Sequence, residues 1–216
     1  MISAYDKNYL EKARTSLGRM LDFAVYDLKY DISDFFNKFI KSGIADKFGN
    51  GDTGTLAGKS GVELAYEVLE RTGENAGDIK PQFSVNRSEE YWTGWALAYY
   101  QWKTSLPFAE IVKYVPMKEI VALYSPYHEM DIRHFVDKMN ELYRAAKPET
   151  NLKIYRQRAN LSQKELAQLS EIPLRTIQHY EQRQKNINKA QAEYLVKLSK
   201  ALSCNVEDLL EYADGN

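Results

Sequence analysis

Apolar positions recur every three or four residues along most of the chain, and no stretch alternates with period two long enough to demand a sheet. Leu10, Ala13, Leu17, Met20, Leu21, Ala24, Val25 and Leu28 trace one face of an amphipathic helix within residues 7–30. Asp31 or Ser33 is placed to cap a second helix over 32–41, with Phe35, Phe36, Phe39 and Ile40 as its apolar face and Gly43 closing it. Residues 43–61 hold six of the eleven glycines and read as a long loop. Helical pattern returns over 62–71, and another loop spans about 72–87. Ser88 starts an aromatic helix that reaches about residue 103. Pro107 and Pro116 each precede a shorter helix, over 108–114 and 117–124, and a longer one covers 129–147.

Lys147-Pro148-Glu149-Thr150 marks a boundary, because proline does not sit inside a continuing helix without cost. Five short helices follow. The first covers 151–159. The second opens at Ser162-Gln163-Lys164-Glu165, the pattern of a capping box in which serine and glutamate satisfy each other's free amides. Pro173 opens the third, over about 173–182, Asn188 is placed to cap the fourth, and Asn205 a last turn through Leu210. The expected fold class is therefore all-α, with a helical domain over 1–147 followed by a five-helix domain over 150–212.

Three or four residues separate the second and third of these helices, the spacing of a helix-turn-helix unit whose second helix enters the DNA major groove. The residues sharpen that pattern. Leu161-Ser162-Gln163-Lys164-Glu165-Leu166-Ala167, then Ile172-Pro173-Leu174-Arg175-Thr176-Ile177 and Tyr180-Glu181, resemble the phage-repressor (XRE-like, lambda-repressor-like) helix-turn-helix family. Leu195, Leu198, Ala201, Leu202, Val206, Glu207, Leu209 and Leu210 resemble its closing helices. The resemblance implies that Gln163 contacts phosphate or base and that Arg175, Thr176 and His179 face base edges. Leu174 holds a base-facing position with an apolar side chain, suited to a thymine methyl or a sugar. Lys164, Gln178, Arg183 and Lys185 complete the expected DNA-facing set. Arg156 and Glu181 match a partly buried structural ion pair. Two departures stand out: Glu171 occupies the turn position where the family usually has glycine, and Gln182-Arg183 replaces a common Asn-Gly. The family resemblance further implies a homodimer on double-stranded DNA. A helical domain placed before such a module is also similar to antitoxins, which repress their own operon and hold a toxin with the other domain.

Charge changes the picture in one respect. The net charge is only −1, yet residues 151–203 carry ten Lys or Arg against four acids, whereas the first 148 carry 19 against 21. Basic charge thus gathers where phosphate is expected. Composition adds bounds. With 44% hydrophobic residues and 16 tyrosines the chain is expected to fold, and its one cysteine, Cys204, excludes an intrachain disulfide. The N-terminus lacks the basic-then-apolar order of a signal peptide, and the apolar run at 95–100 is too short for a bilayer, so a cytoplasmic protein without membrane contact is expected.

Other candidates for chemistry fail on spacing. Gly54 to Ser60 nearly reads as a phosphate-binding loop, but the required first glycine falls at Thr53. His128-Glu129 and His134 miss the metalloprotease spacing, which places the second histidine at Ile132. Tyr91, Trp92, Trp95, Tyr99, Tyr100 and Trp102 crowd one helix, which reads as a deeply enclosed core helix or as the lining of a pocket or partner groove. By the family resemblance Cys204 takes an apolar position, which implies a buried thiol. No catalytic constellation and no cofactor motif emerges. The expectation is a sequence-specific DNA-binding transcriptional regulator, a repressor, with DNA and a protein bound by the first domain as its partners; a protein-interaction module that no longer reads DNA is the competing expectation.

Overall fold

The computed structural model describes residues 3–75, 79–82, 87–147 and 149–211. Pro148, Tyr212 and parts of the expected 72–87 loop lie outside the described residues. The fold is all-α, and the chain divides into two compact units, Met1–Tyr143 and Arg144–Asn216.

Unit 1 is built around α1 (Leu10–Tyr26), which packs against α5 (Gly61–Arg71) and α6 (Glu89–Thr104). The approach to α6 is unusually close. A Cβ built on Gly94 would stand 2.6 Å from the Leu17 carbonyl oxygen, and one on Gly18 would stand 2.7 Å from that of Tyr91. Only hydrogen at these two positions lets the backbones touch. The large rings of α6 therefore cannot all face inward. Gly94, Leu97, Ala98 and Tyr100 are buried, while Trp92, Trp95, Tyr99 and Trp102 are half-buried. This corrects the expectation of a deeply enclosed core helix and leaves the alternative, rings that line a pocket or groove.

Asp31 caps α2 (Ile32–Lys41) by accepting from the amides of Ser33 and Asp34. Phe36, Phe39, Phe48 and Phe108 form a cluster of edge-on and tilted rings with centroids 5.5 to 6.2 Å apart, the geometry that aromatic quadrupoles favour. Phe48 belongs to α3 (Ile44–Gly49), which is followed by α4 (Thr53–Leu56). Both helices occupy the stretch expected to be a loop. Two of the glycines there sit at joints, Gly43 (φ 75°) before α3 and Gly51 (φ 80°) after it, while Asp52 caps α4. Ile44, Ala45, Phe48 and Leu56 carry the burial. Ser60 and Glu63 form a capping box at the start of α5. The chain continues through α7 (Phe108–Tyr114), α8 (Met117–Ala122), α9 (Tyr124–Tyr127) and α10 (Ile132–Ala146). Among the described residues no helix is long and apolar enough to cross a membrane.

Unit 2 contains α11 (Asn151–Arg158), α12 (Gln163–Ser170), α13 (Leu174–Glu181) and α14 (Ala192–Leu202). The expected fifth helix is a 3-10 turn, Glu207–Leu209. Leu152, Leu166, Ile172, Ile177, Tyr180, Ile187, Leu198, Leu202 and Leu209 form one small core. Two expected caps are corrected. The residue before α14 is Gln191, which makes no side-chain cap; Asn188 lies in a 3-10 turn capped by Asn186, and its side chain bonds the backbone of Glu211. At the last turn the bond runs the other way, from the Asn205 amide to the Asp208 carboxylate at 2.9 Å.

Candidate nucleic-acid interface

The turn between α12 and α13 is three residues, Glu171-Ile172-Pro173. Ser162 opens α12 by accepting from the Glu165 amide at 3.2 Å, while the Glu165 carboxylate accepts from the Ser162 amide at 2.7 Å. Those bonds from Ser162 hold the Glu165 carboxyl below the usual glutamate range. Glu171 closes α12 in the left-handed region (φ 54°, ψ 30°), its amide bonded to the Ala167 carbonyl. A side chain here costs roughly 1–2 kcal/mol of backbone strain that glycine would avoid. Buried Ile172 anchors the turn, and Pro173, fixed at φ −55°, launches α13.

Alternation along α13 sorts its side chains. Ile177, Tyr180 and Glu181 are buried. Leu174 and Arg175 are exposed, and Thr176, Gln178 and His179 are half-exposed. Arg175 makes no hydrogen bond or ion pair with the described residues. Its guanidinium keeps all five donors for a planar acceptor such as the O6 and N7 edge of guanine. Lys164 on α12 and Lys185 after α13 are exposed cations.

Beneath this face lies the Arg156–Glu181 pair. Arg156 Nε and Nη2 donate to the two Glu181 carboxylate oxygens at 2.6 and 3.0 Å, and Nη1 donates to the Leu161 carbonyl at 2.7 Å. The side chains are 11% and 3% exposed, so the pair is largely desolvated. The hydrogen bonds to Glu181 hold the Arg156 pKa above its ordinary value. One brace thereby joins α11, the α11–α12 turn and α13.

Glu181 also fixes Gln163. The Gln163 Nε2 donates to the same carboxylate at 2.7 Å, which commits one of its two N–H groups and leaves the other N–H and the amide oxygen for other partners. The bond to Glu181 orients the Gln163 amide, and its residue type alone does not reveal this. Arg183 also departs from expectation. It adopts φ 54° at the position where the family commonly has glycine, and its Nη2 donates to the carbonyls of Lys147 and Glu149 at 3.0 and 3.4 Å. Its guanidinium is thus drawn to residues 147–149 and leaves the expected DNA-facing set. Cys204 is half-buried rather than fully enclosed, and burial raises its thiol pKa.

The other chemical candidates are dispersed. Gly54 lies inside α4, and Lys59 is paired with Glu67. His128 stacks on Tyr124 with centroids 4.3 Å apart. Among the described residues no group of three or more His, Cys, Asp and Glu is placed to hold a metal ion.

Residues 152–209 match a family model described as helix-turn-helix, of the XRE, lambda-repressor-like type, a family of DNA-binding transcription regulators. No curated protein and no solved structure matches the chain.

Proposed function

We propose that the protein is a sequence-specific repressor that binds double-stranded DNA through unit 2. One observation supports this reading: α13 buries Ile177, Tyr180 and Glu181 and exposes Arg175, which has no partner among the described residues, beside half-exposed Gln178 and His179. In this role Arg175 takes a guanine edge, while Gln178 and His179 read neighbouring bases. Leu174, 37% exposed, meets a thymine methyl or a sugar. Lys164 and Lys185 neutralise phosphates on either side, and the free amides of the first turn of α12 add a neutral phosphate contact. Gln163 presents its amide oxygen to a donor such as a base amino group. Repression follows from occupying the promoter.

The working form is a homodimer, whose two recognition helices reach half-sites about 34 Å apart, one helical turn of DNA. Residues 1–147 supply the surface for a second copy or for a protein partner, and an autoregulating antitoxin with a cognate toxin is the specific form of this arrangement.

Selection of bound genomic fragments by the purified full-length protein tests the reading. A recurring motif with paired half-sites is expected. Arg175→Ala then weakens binding to that motif by about 1–3 kcal/mol and relaxes preference at one base pair. Lys185→Ala weakens all sequences alike and lowers the salt dependence by about one phosphate contact. Retention of no fragment above random DNA would overturn the proposal and favour a module that contacts protein alone.

A further inference from the structure

Unit 1 contains an aromatic cleft that the DNA reading leaves without a role. It opens where the first turns of α6 meet α9 and the start of α10, and it encloses about 230 Å³. Trp92, Trp95, Tyr124 and Tyr127 contribute half-buried rings, so each keeps surface open to an occupant. The walls are braced by one another and from behind. Trp92 stands edge-on to Tyr124 and to Phe135, with centroids 5.7 and 5.3 Å apart. Trp95 carries the buried Arg14 guanidinium 3.3 Å from its ring centroid. Rings held this way lose little freedom when a ligand arrives. Met130 is 53% exposed at the rim, an adaptable thioether rather than a rigid wall.

The polar groups narrow the ligand class. Arg87 is the one Lys or Arg lining the cleft, and no Asp or Glu lines it, among the described residues. Its guanidinium rests 4.6 Å from the Tyr91 ring centroid, with its donors otherwise uncommitted to any described carboxylate. Ser88 is occupied: its hydroxyl donates to Asp22 at 2.7 Å and accepts the Tyr91 amide at 3.0 Å. His128 Nδ1 lies 3.0 and 3.2 Å from the Tyr124 and Ser125 carbonyl oxygens, which only accept, so Nδ1 donates. In the neutral ring Nε2 is then an acceptor, 3.6 Å from Glu129.

We propose that this cleft binds a planar aromatic carboxylate of one or two rings. The ring system lies among the indoles and phenols, and the carboxylate pairs with Arg87. A ring hydroxyl or N–H, where present, donates to His128. Size agrees, since a cavity of about 150 Å³ holds one benzene, and the cleft exceeds that by room for a second ring or the carboxylate. A cationic ligand is disfavoured because Arg87 is the one Lys, Arg, Asp or Glu that lines the cleft among the described residues. A purely apolar ligand covers Arg87 without offering it a partner, at the cost of burying an uncompensated charge.

The probe is 1-naphthoate, titrated into the full-length protein by calorimetry and by NMR of the tryptophan indole N–H signals. Saturable one-to-one binding is expected, with shifts at Trp92 and Trp95 and not at Trp102. 1-Naphthylmethylammonium is expected to bind at least about tenfold more weakly, and Arg87→Gln to weaken naphthoate about tenfold, or about 1.4 kcal/mol, without weakening 1-naphthalenemethanol. Tyr127→Ala weakens all three probes, which tests the cleft independently of Arg87. The proposal is overturned by absence of saturation, by equal affinity for anion and cation, or by an Arg87→Gln protein that binds naphthoate unchanged. No DNA enters the titration, so its result is separate from that of the fragment selection.

Discussion

In unit 1, α1 meets α6 backbone against backbone at Gly18 and Gly94, and a cluster of phenylalanine rings joins α2, α3 and α7. In unit 2 the helices are short, the core is nine buried residues, and α11 is joined to α13 by a desolvated ion pair. The first arrangement draws on shape and apolar area. The second relies on directional bonds, because a small core leaves fewer apolar contacts to hold a helix at one angle. What is lost by substitution should therefore differ: the larger unit is sensitive where volume is added, and the smaller where one charge is removed.

The largest effect is expected at the ion pair. Arg156→Ala leaves Glu181 buried and without its charge partner, which costs about 3–5 kcal/mol in such pairs. Hydrogen exchange followed by mass spectrometry should show peptides within 152–209 losing protection while those of α1 and α6 keep theirs. Replacing both partners, Arg156→Met with Glu181→Leu, should recover most of the loss, since a packed apolar pair is often as stable as a buried salt bridge. If the single and double variants were equally unstable, the ion pair would not be what holds unit 2.

Volume is the corresponding test in unit 1. The obstacle to a methyl group on Gly94 is main chain, the Leu17 carbonyl oxygen, so no side-chain rotation makes room. Gly94→Ala is expected to destabilise unit 1 by about 1–3 kcal/mol despite alanine's higher helix propensity. Gly73→Ala adds a methyl where nothing lies within 4 Å but φ is +79°, so its cost is backbone strain alone. Urea midpoints of the two variants separate packing from conformation.

A smaller effect of opposite sign is expected at the helix-turn-helix turn. Glu171→Gly removes left-handed strain and should stabilise unit 2 by up to about 1 kcal/mol, partly offset by glycine's freedom in the unfolded chain. The exposed Glu171–Lys197 pair, at 3.3 Å, is lost in the exchange and contributes little. A lower thermal midpoint would mean that Glu171 serves the turn in some other way.

These contrasts also govern what the sequence disclosed. Local signals read well. Asp31, one of two cap candidates for α2, and the Ser162–Glu165 box lie within one turn of the groups they cap, and Pro173 marks its helix start by its own ring. Signals that depend on distant partners did not read. Asn188 looked like a cap because asparagine caps often, but its partner is the Glu211 backbone, 23 residues away. Glycines at 43–61 suggest a loop, and only the fold assigns Gly43 and Gly51 to the two ends of the short helix α3. The rings of α6 hid its contact face, which is marked by the small residues Gly94 and Ala98. At the interface itself, the outward and inward faces of α13 follow from helical spacing. The diversion of Arg183 to carbonyls 147 and 149 does not.

The smallest effect uses a device that both units share. Ser60–Glu63 in unit 1 and Ser162–Glu165 in unit 2 form the same capping box, and in each the serine's bonds lower the glutamate pKa. A carboxyl whose folded pKa lies below its unfolded value stabilises the fold above the unfolded pKa and loses that contribution as pH falls through the folded one. The acid limb of unit 2 stability should therefore contain a slice, starting near the ordinary glutamate pKa and extending below it, that Glu165→Gln abolishes. Glutamine still accepts from the Ser162 amide, so the variant isolates charge from the hydrogen bond. Both boxes are exposed, so the slices should be similar in size, yet protection measured at acid pH should fall visibly only in unit 2, where a thinner core leaves less in reserve. A wild-type and Glu165→Gln difference that stayed constant from neutral to acid pH would show that the carboxylate charge contributes nothing there.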